Sequence, residues 1–267
     1  MVADSLRADH LSCYGYNKPT PNIDHLADNG TIFLDTWAAG SNTPASIPYL
    51  LSDYMLLNLK KRGYRCTLIH SNVNLKTAKT LINKIDLHRE GKINKILTLA
   101  LKGEYCPWSR AEAVNKVALQ YLEHIKQPHF LCLWYMDTHL PYIPQGSGIY
   151  TFLINKKLRK AAATREYRKI TKQDIASFID LYDSEIKYLD TCIGAFVKNI
   201  DLDKTRLIFT ADHGEEFMEH GDLGHQNKDI PELRHVPLIT NDSIGWVKER
   251  FDFKNFDKWI LNLEDRK

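Results

Sequence analysis

The chain has 267 residues, with 36 Lys+Arg against 33 Asp+Glu for a formal net charge of +3, and 43% of it is hydrophobic. That length fits one large α/β domain or two small ones. The balance excludes a strongly basic nucleic-acid binder, a disordered chain and a collagen-like repeat.

The first element is abrupt. Met1-Val2-Ala3 reads as the end of a strand that runs straight into Asp4. Strands usually run five to six residues, so either the given start clips a core strand, or the gene start is misplaced, or this strand is unusually short. Ser41-Asn42-Thr43-Pro44-Ala45-Ser46 is a polar loop entering an apolar helix at Ile47 to Leu51. A helix covers roughly Tyr54 to Arg62 and stops at Gly63. Cys66-Thr67-Leu68-Ile69 is a buried strand. Ser109 and Glu112 have capping-box spacing, and Val114, Val117, Ala118, Tyr121, Leu122 and Ile125 follow at helical intervals. Phe130 to Met136 is the next strand. Residues 145–170 combine Gly146, Ser147 and Gly148 with Lys156, Lys157, Arg159, Lys160, Arg165, Arg168 and Lys169. That composition suits a solvated insertion, with a basic lid over an anionic substrate as the sharper alternative. A long helix begins near Thr171 and Asp174 and carries one apolar stripe from Ile175 to Phe196. Arg206 to Thr210 and Val236 to Ile239 complete the strands. The strand runs are continuous rather than alternating, as in parallel strands covered on both faces. Alternation of such strands with helices predicts an α/β fold.

No window approaches the ~18 apolar residues of a membrane span. The five cysteines, Cys13, Cys66, Cys106, Cys132 and Cys192, are widely spaced and form no CxxC pair. A structural zinc site is therefore not expected, and a reducing, cytoplasmic setting is.

Sites in open α/β sheets form outside the carboxyl ends of strands. Three ends carry metal-capable residues: Asp4, then Asp137 with His139, then Asp212 with His213. Carboxylates with imidazole suit Zn or Mn, and carboxylate oxygen alone suits Ca or Mg. His220 and His225, in a glycine-rich loop, are candidates for a ligand or for holding an anionic substrate. Glu215, Glu216 and Glu219 read as surface charges at a helix start. Thr43 and Ser46 are each either a helix cap or a hydroxyl nucleophile among free backbone N–H groups.

These residues fall in blocks that resemble the sulfatase branch of the alkaline phosphatase superfamily. Asp4-Ser5-Leu6-Arg7-Ala8-Asp9-His10 through Tyr16 is similar to the family's opening motif. Thr20 to Ala27 and Gly30 to Phe33 resemble the segment that follows. Asp137-Thr138-His139-Leu140-Pro141-Tyr142 resembles the central block, and Leu181 to Ile186 with Asp190 the next helix. Thr210 to Glu215, Glu219-His220-Gly221 and Val236-Pro237-Leu238 resemble the closing blocks. The blocks run in family order.

The resemblance implies an alkaline phosphatase-like three-layer sandwich, a central mostly parallel sheet with helices on both faces, as one catalytic domain over 1–267. It implies a divalent metal ion (Ca, Mn, Zn or Mg) at Asp4, Thr43, Asp212 and His213. Thr43 becomes the nucleophile and forms a sulfo- or phospho-enzyme. His139 touches the ester oxygens or protonates the leaving group, and His225 helps hold the anion. Asp137 and His220 are expected at the substrate.

The activity implied is hydrolysis of sulfate or phosphate esters, phosphodiesters included, with a small anionic ester or a sulfated or phosphorylated glycan as substrate. The alternatives are a phosphoethanolamine- or phosphoglycerol-type transferase, or a metal-binding protein without turnover. Thr43-Pro44-Ala45-Ser46-Ile47 departs from the C/S-x-P-S-R motif of formylglycine sulfatases, so formylglycine is not expected. Ser5 stands where many sulfatases have a second Asp. About 30 residues follow Leu238, so the usual C-terminal subdomain is expected to be missing.

Overall fold

The computed structural model describes residues 1–87, 108–144, 146, 148–242 and 245–264. Cys106 and Ser147, named above, lie outside them. β1 (Val2–Ala3) leads through two 3-10 turns to α1 (Pro21–Asp28), which starts on a proline where no N–H is needed. β2 (Thr31–Phe33) and β3 (Thr36–Trp37) precede α2 (Thr43–Leu50) and α3 (Asp53–Lys61). β4 (Arg65–His70), α4 (Val73–Thr77) and β5 (Asn83–Asp86) follow. Then come α5 (Ala111–His124), β6 (His129–Tyr135), α6 (Ile149–Thr164) and α7 (Lys172–Val197). β7 (Ile208–Ala211), the hairpin of β8 (Glu216–Phe217) and β9 (Leu223–Gly224), and α8 (Pro231–Arg234) come next. The described chain closes with β10 (Leu238–Thr240), β11 (Gly245–Val247), β12 (Phe251–Asp252) and α9 (Phe256–Glu264).

Eight strands form the main sheet in the order β11-β2-β10-β7-β1-β6-β4-β5. The run β7-β1-β6-β4-β5 is parallel throughout. β1 is only two residues long, yet it sits at the centre: Val2 pairs with both Trp134 and Thr210. Both faces are covered. α1 and α5 pack on α7, while α2 and α3 pack on α9. The expected α/β sandwich with a mostly parallel central sheet is therefore the fold. Among the described residues, no helix is long and apolar enough to cross a membrane.

Three local expectations change. The run Val236 to Ile239 supplies β10, which is antiparallel to both β7 and β2. A strand buried on both faces is continuously apolar in either direction, so the pattern does not report its sense. Ser109 does not cap α5. Arg110 holds the N-cap position, Ser109 Oγ donates to the Leu87 carbonyl at 2.8 Å, and the Ala111 N–H donates to Asp137 at 3.0 Å. Residues 145–170 are not a solvated insertion. Ile154, Leu158 and Ala161 recur at helical spacing and are buried where α6 packs on α7, so the lysines take the outer face.

Candidate active site

β7, β1 and β6 are adjacent and parallel, so the residues just beyond their carboxyl ends become neighbours. Asp4 follows β1 and Asp212 follows β7, and both are fully buried. Ser5 is held at φ 61°, an uncommon conformation for a non-glycine residue. From there its N–H donates to Asp212 Oδ1 at 3.2 Å and its hydroxyl to Asp4 Oδ1 at 3.2 Å. Ser5, expected as a missing ligand, thus ties the two carboxylates together. Gly214 allows the turn after His213 to press against α8. A Cβ there would lie 2.0 Å from the Glu232 carbonyl oxygen.

Thr43 is the first residue of α2, and Asn42 is its N-cap, accepting from the Ala45 N–H at 3.1 Å. The capping role belongs to Asn42, which leaves the Thr43 hydroxyl for the site. Thr43 Oγ1 lies 3.3 Å from Asp4 Oδ2 and 3.3 Å from His213 Nε2. Ser46 Oγ turns away to the Gly40 carbonyl at 3.4 Å.

His213 is fully buried and its Nδ1 contacts the Gly214 carbonyl at 2.8 Å, which fixes the proton on Nδ1 and a lone pair on Nε2. Burial first, and His225 second, push its pKa down to about 4, so the ring is neutral. Nε2 lies 3.3 Å from Asp212 Oδ2 and 3.7 Å from Asp4 Oδ1. Burial, and then the charge of Asp4, drive the Asp212 carboxyl well above the ordinary range. Among the described residues Asp212 Oδ2 has no hydrogen-bond partner, although it is buried. Lone pairs from two carboxylates, an imidazole and a hydroxyl thus converge on one dry spot. Such an arrangement is costly unless a cation joins it. The donor set fits a divalent ion, and Asp4, Asp212 and His213 offer ligand atoms within 4.8 Å of one another.

The surroundings orient these groups. Asp4 Oδ2 accepts from Trp134 Nε1 at 2.9 Å and from Asn72 Nδ2 at 2.7 Å. Asn72 lies two residues past the carboxyl end of β4. Sequence reasoning missed it, although the strand-end rule applied one strand further would have reached it. Glu215 was misread as a surface charge. It and Glu216 are fully buried. Glu215 accepts from Tyr142 Oη at 3.0 Å and contacts His225 Nδ1 at 3.2 Å. Burial would lower the His225 pKa, but the charges of Glu215, Asp4 and Asp212 raise it to about 9, so the ring is a cation at neutral pH. His225 stacks 4.6 Å from His213 and 5.1 Å from His139 (ring centroids). His139 holds its Nδ1 2.7 Å from the Leu140 carbonyl, and Trp108 stands edge-on to it at 5.0 Å.

Two expected substrate residues have other partners. Asp137 is buried. It accepts from Ala111 N–H and pairs with Arg110 Nε at 2.9 Å, and Arg110 also forks onto Glu185 at 3.0 and 2.6 Å. Burial pushes the Asp137 carboxyl up to about 7 against the pull of Arg110. Its contacts cap α5 and tie it to α7. His220 is exposed on its loop and pairs with Glu232 at 3.0 Å.

The family model for sulfatases matches residues 1–255, and the chain belongs to the sulfatase family. No curated protein sequence matches it significantly. Solved structures share the fold at low identity. A phosphonate monoester hydrolase of Agrobacterium radiobacter superposes with a TM-score of 0.73 at 17% identity, over 98% of this chain and 72% of that one. The integral membrane lipooligosaccharide phosphoethanolamine transferase A of Neisseria meningitidis gives 0.71 at 16% identity. This chain is covered to 99% but spans 53% of that protein. The C-terminal periplasmic domain of EcEptC from Escherichia coli, in complex with Zn, gives 0.71 at 15% identity, over 98% and 80%.

Proposed function

We propose that the chain cleaves phosphate or sulfate esters by attack of Thr43 on the central phosphorus or sulfur. The observation that carries this reading is the convergence of Asp4, Asp212 and His213 Nε2 on the Thr43 hydroxyl, at the start of a helix. Asp4, Asp212, His213 and Thr43 Oγ1 would hold a divalent ion, which supplies charge to lower the hydroxyl's pKa and to offset charge in the transition state.

The chain's own residues do the rest. The Thr43 hydroxyl gives up its proton toward Asp4 Oδ2, 3.3 Å away, as Oγ1 bonds to the central atom and the bond to the ester's leaving oxygen breaks, and that oxygen takes up a proton. His139, with Nδ1 donating to a carbonyl, delivers that proton from Nε2 when its ring enters the step as the imidazolium, and regains it from the attacking water in the second half of the reaction. His225, held charged against Glu215, binds the non-bridging oxygens. The N-terminal end of α2 favours the same anion. Water then attacks the central atom and restores the Thr43 hydroxyl. An acceptor alcohol in place of water gives a transferase from the same intermediate. That second reading is favoured by one of the structural neighbours, a lipooligosaccharide phosphoethanolamine transferase.

Thr43→Ala should lower kcat on a chromogenic aryl phosphate, phosphonate or sulfate by at least about 10³-fold, while Thr43→Ser retains measurable turnover. Full activity in Thr43→Ala would overturn the assignment. Bound metal without turnover of any ester in the wild type would favour a metal-binding protein instead.

A further inference from the structure

The outer face of α6 has no role in the site described above. Tyr150, Phe152 and Leu153 are 61%, 37% and 54% exposed. Phe152 and Leu153 are adjacent, while Tyr150 leans toward α7, its hydroxyl donating to Ser177 Oγ at 3.1 Å; Tyr54 and Leu57 form another close pair among the described residues, but the pair on α6 leads into a run of basic side chains. Scattered exposure is ordinary, but a cluster is not. The next turns bring Lys156, Arg159 and Lys160 to the same exposed side. At 3.6 residues per turn, Leu153, Lys156 and Lys160 rise one above another, flanked by Phe152 and Arg159. The helix contains no Asp or Glu. Lys157 is neutralised by Asp174 at 2.6 Å, whereas among the described residues no carboxylate lies within ion-pair distance of Lys156, Arg159 or Lys160. The opposite face is buried by its packing on α7.

We propose that α6 docks the protein on an anionic lipid bilayer, lying in the plane of the interface. Leu153 and Phe152 enter the acyl boundary, and Lys156, Arg159 and Lys160 meet the anionic headgroups. A soluble polyanion would satisfy the lysines but leave Leu153 in water, which favours the bilayer. The proposal does not depend on the reading of Thr43.

The test sediments the full chain with vesicles of phosphatidylcholine alone and with phosphatidylglycerol added. Binding is expected to the anionic vesicles and to weaken with salt. Each basic residue near such a surface is worth about fivefold in partitioning, so Lys156→Gln with Lys160→Gln should reduce it about 25-fold. Leu153→Ser should weaken binding without changing its salt dependence. These positions are exposed and outside the site, so turnover of a soluble ester should be unchanged. Equal binding to both vesicle types, binding to neither, or binding indifferent to the double substitution would overturn the proposal. So would capture by heparin with none by vesicles.

Discussion

The two oxygens of Asp4 divide their work. Oδ2 accepts from Trp134 and Asn72, while Oδ1 accepts from Ser5 and faces His213 Nε2. The donors fix the carboxylate's plane, and such outer partners tune metal affinity strongly. Asn72→Ala should therefore weaken divalent-ion binding about 10–100-fold, measured by metal titration. An unchanged affinity would show that Trp134 and Ser5 suffice. At this scale the sequence was partly legible. Asp4, Asp212 and His213 follow strand ends, and a rule about strand ends finds them. Asn72 was within reach of the same rule at the end of β4, whereas Glu215 was not legible, because a glutamate near a turn looks like an ordinary surface residue. Its burial is supported by Tyr142 and His225, which contact its carboxylate in the fold.

Between elements, the opening turn is bolted to α7 by Asp183. Its carboxylate contacts His10 Nδ1 at 2.7 Å and accepts from Tyr16 Oη at 2.7 Å and Lys18 Nζ at 2.8 Å. Burial would raise its pKa, but these partners outweigh burial and hold it below the ordinary 3.8. A carboxyl depressed in the folded state stabilises fully above its unfolded value and loses that contribution as pH falls through the folded one. Asp183→Asn should cost about 2 kcal/mol near neutral pH. Thermal melting should show the gap from wild type closing below about pH 4. A gap that persists in acid would mean the carboxylate's charge is not what stabilises.

Long elements were legible: α7 starts where expected, near Thr171 and Asp174, which the structure shows to form a capping box, and α3 ends at the predicted glycine. The cap of α5 was not. It comes from Asp137, far along the chain, whereas local spacing pointed to Ser109. Short strands such as β2, β5 and β11 also escaped, since three or four residues carry little periodicity.

Over the whole molecule, the strand order places Asp4 and Asp212 side by side in a dry centre, and no sequence pattern states that order. Two buried carboxylates and a neutral imidazole oppose folding when no cation accompanies them. Metal bound to the folded state alone stabilises by mass action. Stripping divalent ions with a chelator should lower Tm by at least about 5 °C, and adding a divalent ion back should restore it. No change in Tm on stripping metal shown to be bound would contradict the reading of this cluster.

The central claim is that Thr43 carries the transferred group. It is tested most directly by quenching the protein during turnover of an aryl phosphate or aryl sulfate and mapping the adduct by peptide mass. The result predicted is one phosphoryl or sulfuryl group on the Thr43 hydroxyl, absent from Thr43→Ala. Turnover without any such adduct, in a Thr43→Ala variant as active as the wild type, would contradict it.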